Sequence, residues 1–220
     1  MPAIESYRPV SRTAANCRDA SALAIDTSPQ LVLEPNQRLF RAGDLGSCFY
    51  VVRAGILRVE AVTEGGDRRI LRLAGPGAAI GCEVLDHSPR RADVWACTRA
   101  YITAFPAQTH RDQSGQLPSA PYALLLDELQ DAQDWALQLN HGPAYRRVAR
   151  LLHRLTILCN GATIWLPSRE EMGAIVGIRL ETASREIARL RRRGVITQLD
   201  LSRAQVDTVR LQQVLQTACL

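Results

Sequence analysis

The sequence predicts an α+β protein with a strand-rich N-terminal half, a long helix and a C-terminal winged helix-turn-helix. Three observations carry that expectation. Between residues 30 and 106, short apolar runs alternate with turn residues. From Ser119 the apolar period becomes that of a helix. Between residues 168 and 196, two short helical patterns flank a glycine, and the second is rich in arginine.

Residues 1–28 have little periodicity and many small polar side chains, so a poorly ordered arm is expected there. The pieces LVLEP, LFRAGD, CFYVVRAG, ILRVEAV, RRILRLAGPG and WACTRAYITAFP are each of strand length. Gly43-Asp44, Gly55, Gly65-Gly66, Pro76-Gly77 and Ser88-Pro89 separate or punctuate them. Short strands at regular spacing with such turns indicate a barrel or sandwich over residues 29–117. Gly65-Gly66 is a hairpin signal, because glycine adopts positive φ without steric cost.

Ser119-Ala120-Pro121 reads as a helix start. Tyr122, Leu125, Leu129, Ala132, Ala136 and Leu139 then follow at steps of 3, 4, 3, 4 and 3, a heptad seam. The helix of residues 118–141 either packs that stripe on its own domain or pairs it with a second copy of the chain. The narrowness of the seam, with Asp127, Glu128, Asp131, Asp134 and Gln138 off it, favours dimerisation. Asn140-His141-Gly142-Pro143 ends the helix, and a second one over 144–159 carries Val148, Leu151, Leu152, Leu155 and Leu158 on one face.

Residues 142–220 hold the sharpest local signal, SREEMGAIVGIRLETASREIARLRRRGVI. Ser168 followed by Glu170 and Glu171 marks a helix start. Met172, Ile175 and Val176 give that helix an apolar face, and Gly177 permits a tight turn. In the next helix, 179–192, Leu180, Ala183, Ile187 and Leu190 are expected to face inward. Two short helices joined through a glycine turn, the second one basic, form the helix-turn-helix signature. The second helix's other face carries Glu181, Ser184 and Arg185, chemistry suited to reading bases: arginine bonds two acceptors of guanine, glutamate accepts from cytosine, and serine bonds several base edges. A surface ion pair between Glu181 and Arg185 is the plainer alternative. GVITQLDLSRAQVDTVRLQQVL then reads as a two-stranded wing and a closing helix. Ser168, Arg169, Arg179, Thr182, Arg189, Arg191 and Arg193 are the expected phosphate contacts, which position a protein without reading sequence.

Charge points the same way. All 27 basic residues are arginine. Residues 1–140 hold 14 Arg against 16 Asp/Glu, a net of −2, whereas residues 141–220 hold 13 Arg against 6 Asp/Glu, a net of +7. Such asymmetry suits a C-terminal part that meets a polyanion, double-stranded DNA foremost. No apolar run approaches the roughly 18 residues of a membrane span, and the N-terminus lacks an apolar signal core, so a cytoplasmic protein without membrane contact is expected. The six cysteines form no C-x-x-C pair and read as free thiols. His141 and His153 have no catalytic partners at useful spacing, so no enzyme is expected.

FRAGDLGSCFYVVRAGILRV, LRLAGPGAAIGCEVL and PSREEMGAIVGIRLETASREIARLRRRGVI together resemble the CRP/FNR family of bacterial transcription regulators, from residue 30 to about 218. The resemblance implies a cyclic-nucleotide-binding-like β-roll (jelly roll), a dimerisation helix and a winged helix-turn-helix. It also implies a homodimeric regulator, an activator that works with RNA polymerase. Glu181-Thr182-Ala183-Ser184-Arg185 is similar to the FNR/FixK-like branch, which reads TTGAT-type half-sites; by that likeness Arg185 contacts guanine, Glu181 cytosine and Ser184 thymine.

The effector pocket departs from the cyclic-AMP branch. Gly81 is followed by Cys82 before Glu83, and the Arg-Ser-Ala of those relatives reads Arg90-Arg91-Ala92. Gly81, Glu83, Arg90 and Arg91 are the candidate pocket residues, with Arg91 expected to fill the phosphate side and disfavour a cyclic nucleotide. An iron–sulfur cluster needs about four thiolates, and the N-terminal arm has only Cys17. No metal and no cofactor are expected. The alternatives are a redox-controlled regulator, through thiols such as Cys159 and Cys219, a haem-controlled one, for which Cys82, His87 and His110 have the right side chains, and, less favoured, a cyclic-nucleotide-responsive one.

Overall fold

The computed structural model describes residues 29–107 and 119–216, with residues 119–122 described by backbone alone. The expected arm at 1–28, the thiols of Cys17 and Cys219, His110 and the Tyr122 side chain lie outside the described residues.

The N-terminal half contains β1 (Gln30–Leu33), β2 (Arg38–Phe40), β3 (Cys48–Ala54), β4 (Leu57–Val62), β5 (Arg68–Ala74), β6 (Ala79–Ile80), β7 (Asp93–Ala96) and β8 (Ala100–Pro106). They make two antiparallel four-stranded sheets, ordered β1-β8-β3-β6 and β2-β7-β4-β5. Leu33, Val52, Ile80 and Ile102 of the first sheet share one core with Leu57, Ala74, Val94 and Ala96 of the second, as in a β-roll. β4 and β5 pair through the hairpin expected at Gly65-Gly66, where Gly66 has φ 84°. WACTRAYITAFP, read as one strand, is two: Cys97, Thr98 and Arg99 turn the chain from β7 in one sheet to β8 in the other.

Helix α1 (Ser119–Leu139) runs from the barrel to α2 (Ala144–Leu158). Leu124 enters a barrel cluster with Phe49, Val84 and Phe105, while Trp135 and Leu139 pack with α2. Arg154 of α2 bonds Asp131 at 2.8 Å and stands over the Trp135 ring at 5.3 Å. Arg150 donates to the carbonyls of Gln138 and His141, both at 3.0 Å, and so closes the bend between the two helices.

The C-terminal half adds β9 (Thr163–Trp165), α3 (Arg169–Val176), α4 (Leu180–Arg192), β10 (Ile196–Gln198), β11 (Arg203–Val206) and α5 (Thr208–Gln216). The expected two-stranded wing is three-stranded, ordered β10-β11-β9. The extra strand precedes α3, and its three residues are too few to show a period. α3 opens with a reciprocal capping box: Ser168 Oγ accepts from the Glu171 N–H, and the Glu171 carboxylate accepts from the Ser168 N–H. It ends at Gly177, left-handed at φ 67°. The Arg147 guanidinium from α2 donates to the carbonyls of Val176 (2.6 Å) and Gly177 (3.3 Å) and holds that turn. Gly173 lets the turn close, since a Cβ there would come within 2.6 Å of the Ile178 carbonyl oxygen.

The two halves share a core. Ile56, Ile70, Leu73 and Cys97 of the barrel join Val148, Leu152, Met172 and Ile175 of the C-terminal half in one cluster. An ion-pair chain crosses the same boundary. Arg58 of β4, its side chain 8% exposed, lies 3.1 Å from Glu60 and 3.5 Å from Glu171 of α3. Arg68 lies 2.9 Å from Glu60 and 3.9 Å from Glu170.

Removing one N-cap hydroxyl typically costs about 1 kcal/mol. Ser168→Ala is therefore expected to lower unfolding stability by about that amount in urea titration, with unchanged m-value; no loss would mean that the capping box contributes nothing to α3.

Candidate nucleic-acid interface

The recognition surface is built on α4. Ala183, Ile187 and Leu190 are buried, against α2 and α3, and this fixes which face turns outward. Glu181, Arg185, Arg189 and Arg192 are exposed or half-exposed on that outer face, with Ser184 half-buried beside them. Leu180, expected to point inward, is 48% exposed. It is the first residue of the helix, beyond the turn that packs on α3.

Arg185 lies 3.2 Å from the Thr182 hydroxyl, so the two share one stretch of surface. Arg179 caps the N-terminus of α4 by backbone alone, with no side-chain acceptor on the first N–H groups, which leaves a positive helix end beside Thr182. Arg169, at the start of α3, feels Arg191 from the last turn of α4: burial first, then that second guanidinium, pull its pKa down. Two arginines brought together in this way suit an anion between them, such as a backbone phosphate.

Tyr145, at the start of α2, contacts two of the candidate arginines and is not singled out by the sequence. Arg189 stands over its ring at 4.2 Å and Arg193 at 5.6 Å, and Arg193 Nη1 donates to the Tyr145 hydroxyl at 3.3 Å. Cation–π contact of this kind fixes the two guanidinium groups before any ligand arrives. A lone tyrosine at a helix start gives no sequence signal for it. On the wing, Arg203 is paired with Asp200 at 2.6 Å. The Ser202 N–H and the Arg203 guanidinium hold the Asp200 carboxyl below the usual carboxylate range.

The seam residues of α1 divide. Leu139 is 0% exposed and belongs to the chain's own core, which closes it to a second copy, while Leu125 is half-buried, packed partly against the barrel. Leu129, Ala132 and Ala136 are exposed, joined by Leu126 and Leu137, which the heptad reading passes over. The cause is the helix's double duty: its buried stripe, through Leu124, Glu128, Trp135 and Leu139, faces the barrel and α2.

In the barrel, Arg91 lines the cavity with Gly81 and Glu83 as expected, whereas Arg90, also a candidate pocket residue, does not. Arg91 is exposed and its backbone N–H lies 3.4 Å from Glu83 Oε1. Arg90 is only 4% exposed. Its guanidinium donates to the carbonyls of Gly81 and Cys48, lies 3.7 Å from Glu83 and stands over the Phe40 ring at 4.3 Å. The chain's own carbonyls therefore hold the group that a phosphate would need. A cavity of about 390 Å³ remains between barrel and α1, and the Arg72–Glu128 ion pair crosses it. Glu128 also accepts from the Ala79 N–H at 3.1 Å.

Burial pushes the Cys82 and Cys97 thiols up to about 12, with Glu128 and Glu83 adding to the rise at Cys82. Burial raises Cys159 as well. All three are protonated near neutral pH, the unreactive form. His87 is exposed at the end of the Cys82–Asp86 turn. Among the described residues no group of three or more His, Cys, Asp or Glu side chains is placed to hold a metal, and no helix is long and apolar enough to cross a membrane.

Residues 30–114 match the cyclic nucleotide-binding domain family, and residues 146–213 match the Crp-like helix-turn-helix domain family. The transcriptional activator protein FnrA of Stutzerimonas stutzeri is 28% identical over 190 residues, which cover 82% of this chain and 78% of that protein. The fumarate and nitrate reduction regulatory protein of Shigella dysenteriae is 26% identical over 175 residues, covering 74% and 69%. Two solved structures share the fold. A CRP-family transcriptional regulator from Thermus thermophilus aligns with TM-score 0.74 at 21% identity over 84% of this chain and 96% of its own. FixK2 from Bradyrhizobium japonicum aligns with TM-score 0.71 at 21% identity over 85% and 96%.

Because Arg90 is held by the chain's own carbonyls, titration calorimetry with cyclic AMP and cyclic GMP is expected to show no saturable heat. Micromolar binding of either would mean that Arg90 leaves the Gly81 and Cys48 carbonyls at little cost.

Proposed function

Because the chain belongs to the CRP/FNR family of bacterial transcription regulators, we propose that it acts as a homodimer on two TTGAT-like half-sites arranged as an inverted repeat in double-stranded DNA. The single observation that supports this most strongly is the outer face of α4, where Glu181 and Arg185 are exposed on a helix anchored by Ala183, Ile187 and Leu190. Arg185 bonds the two acceptors of guanine, Glu181 accepts from cytosine, and Ser184 meets thymine. Ser168, Arg169, Arg179, Thr182 and Arg191 contact phosphates, as do Arg189 and Arg193 from the Tyr145 ring.

The dimer forms along the exposed stripe of α1, Leu126, Leu129, Ala132, Ala136 and Leu137, and places two recognition helices about 34 Å apart, one turn of DNA. The chain works by binding rather than catalysis, in the cytoplasm and without a cofactor, and activates transcription through RNA polymerase.

Selection of bound sequences from a random DNA pool tests the reading. The wild-type pool is expected to hold an inverted repeat, and Arg185→Ala to cost about 1–3 kcal/mol and relax the guanine position. Tyr145→Ala is expected to weaken every sequence alike and flatten the salt dependence by about one phosphate contact or more, while Tyr145→Phe keeps the slope. A pool without an inverted repeat, or one that Arg185→Ala leaves unchanged, overturns the assignment.

For the seam, Leu129→Asp is expected to give a monomer in light scattering and to lose specific DNA binding. A dimer that survives the change removes this stripe as the interface.

A further inference from the structure

A cleft of about 730 Å³ lies between the barrel and the C-terminal half, nearly twice the cavity beside Arg72 and Glu128. Ligand sites commonly have volumes of about 300–1,000 Å³ and favour domain boundaries. Ile56 and Cys97 form its barrel wall; Leu158, Ile164, Trp165 and Leu166 form the wall opposite.

Most polar side chains of the lining are engaged by the protein itself. Thr98 Oγ1 accepts from the Ile56 N–H at 2.9 Å, and Asn36 Oδ1 accepts from Arg58 at 3.3 Å. Thr163 Oγ1 and Gln205 Oε1 are 2.7 Å apart, and Ser168 Oγ caps α3. At the mouth, Arg99 is paired with Glu34 and Arg203 with Asp200. Cys97 and Cys159, which also line the cleft, are neutral thiols for the reasons of burial given above. The wall thus offers apolar surface and paired charge. A charged ligand would lose its hydration there without a partner, whereas a neutral one gains from burial.

We propose that this cleft is a binding site for a neutral, largely apolar small molecule, and that its occupancy controls the DNA-reading helices. The control follows from position. Asn36 and Glu171 both line the cleft and both hold Arg58, and Ser168 and Glu171 form the cap of α3. A ligand wedged between the walls presses on the Arg58–Glu171 pair that joins barrel to reading head. This second step rests on the DNA-binding reading; the binding step does not.

The full chain is titrated with the neutral fluorophore N-phenyl-1-naphthylamine, read by its own emission and by quenching of tryptophan. Saturable binding at one molecule per chain is expected, with part of the quenching lost in Trp165→Phe. Ala54→Phe, on the exposed barrel rim, and Cys159→Phe, on the opposite wall, are each expected to weaken binding at least about tenfold. Thermal melts identify a variant that fails to fold, and either variant suffices. The bound probe is expected to change wild-type DNA affinity at least about fivefold and to have no effect in Ala54→Phe. Absence of saturable binding, or binding kept in both folded cleft variants, overturns the site. Probe binding with DNA affinity unmoved overturns the control. A wild type that binds the probe but no DNA overturns the DNA reading and leaves the site standing.

Discussion

The buried pairing of Arg58 with Glu171 is the constraint on which the arrangement of this molecule depends. Arg58 belongs to the barrel, and Glu171 is the third residue of the first helix of the helix-turn-helix. The same carboxylate closes the capping box at Ser168, so one side chain both starts α3 and ties it to the barrel. A partly buried ion pair is costly to leave half-made, because the remaining charge has lost its water. Glu60, Asn36 and the Trp95 ring at 5.6 Å surround Arg58 and fix its place on the barrel side. One carboxylate thereby joins the barrel to the start of the reading head.

Arginine does several different jobs in a chain without lysine. Arg147 holds the α3–α4 turn through carbonyls, Arg154 ties α1 to α2, and Arg90 is held inside the barrel by the Gly81 and Cys48 carbonyls. These are forked contacts to carbonyls, carboxylates and rings, which a planar guanidinium makes and an ammonium does not. Arg185 and Arg192, by contrast, lie on the outer face of α4, and Arg169 and Arg191 approach one another. The difference between structural and recognition arginines is therefore one of surroundings. Composition alone records only the C-terminal excess of +7.

Local chemistry was legible in the sequence where it is local in space. The Ser168 cap, the Gly177 turn and the Ala183-Ile187-Leu190 face follow from spacing within a few residues, and so do the glycine hairpin and most strands of the barrel. Long-range pairing was not legible: nothing near Arg58 names Glu171, and nothing near Arg189 names Tyr145. A heptad shows that a helix has an apolar stripe, but the stripe of α1 serves the chain's own core at Leu139 and leaves Leu129 and Leu137 outside. Period alone does not separate the two. In the same way, adjacent Arg90 and Arg91 are equivalent as letters, and only the turn of the chain sends the first into the barrel. β9 escapes a sequence reading because three residues carry no alternation.

The central claim, that barrel and reading head are coupled through the Arg58–Glu171 pair, is tested most directly by a double-mutant cycle of Arg58→Met and Glu171→Gln in urea unfolding. The account predicts a coupling energy of about 0.5–3 kcal/mol, the double variant being less destabilised than the sum of the single ones. Strict additivity of the two changes would contradict it.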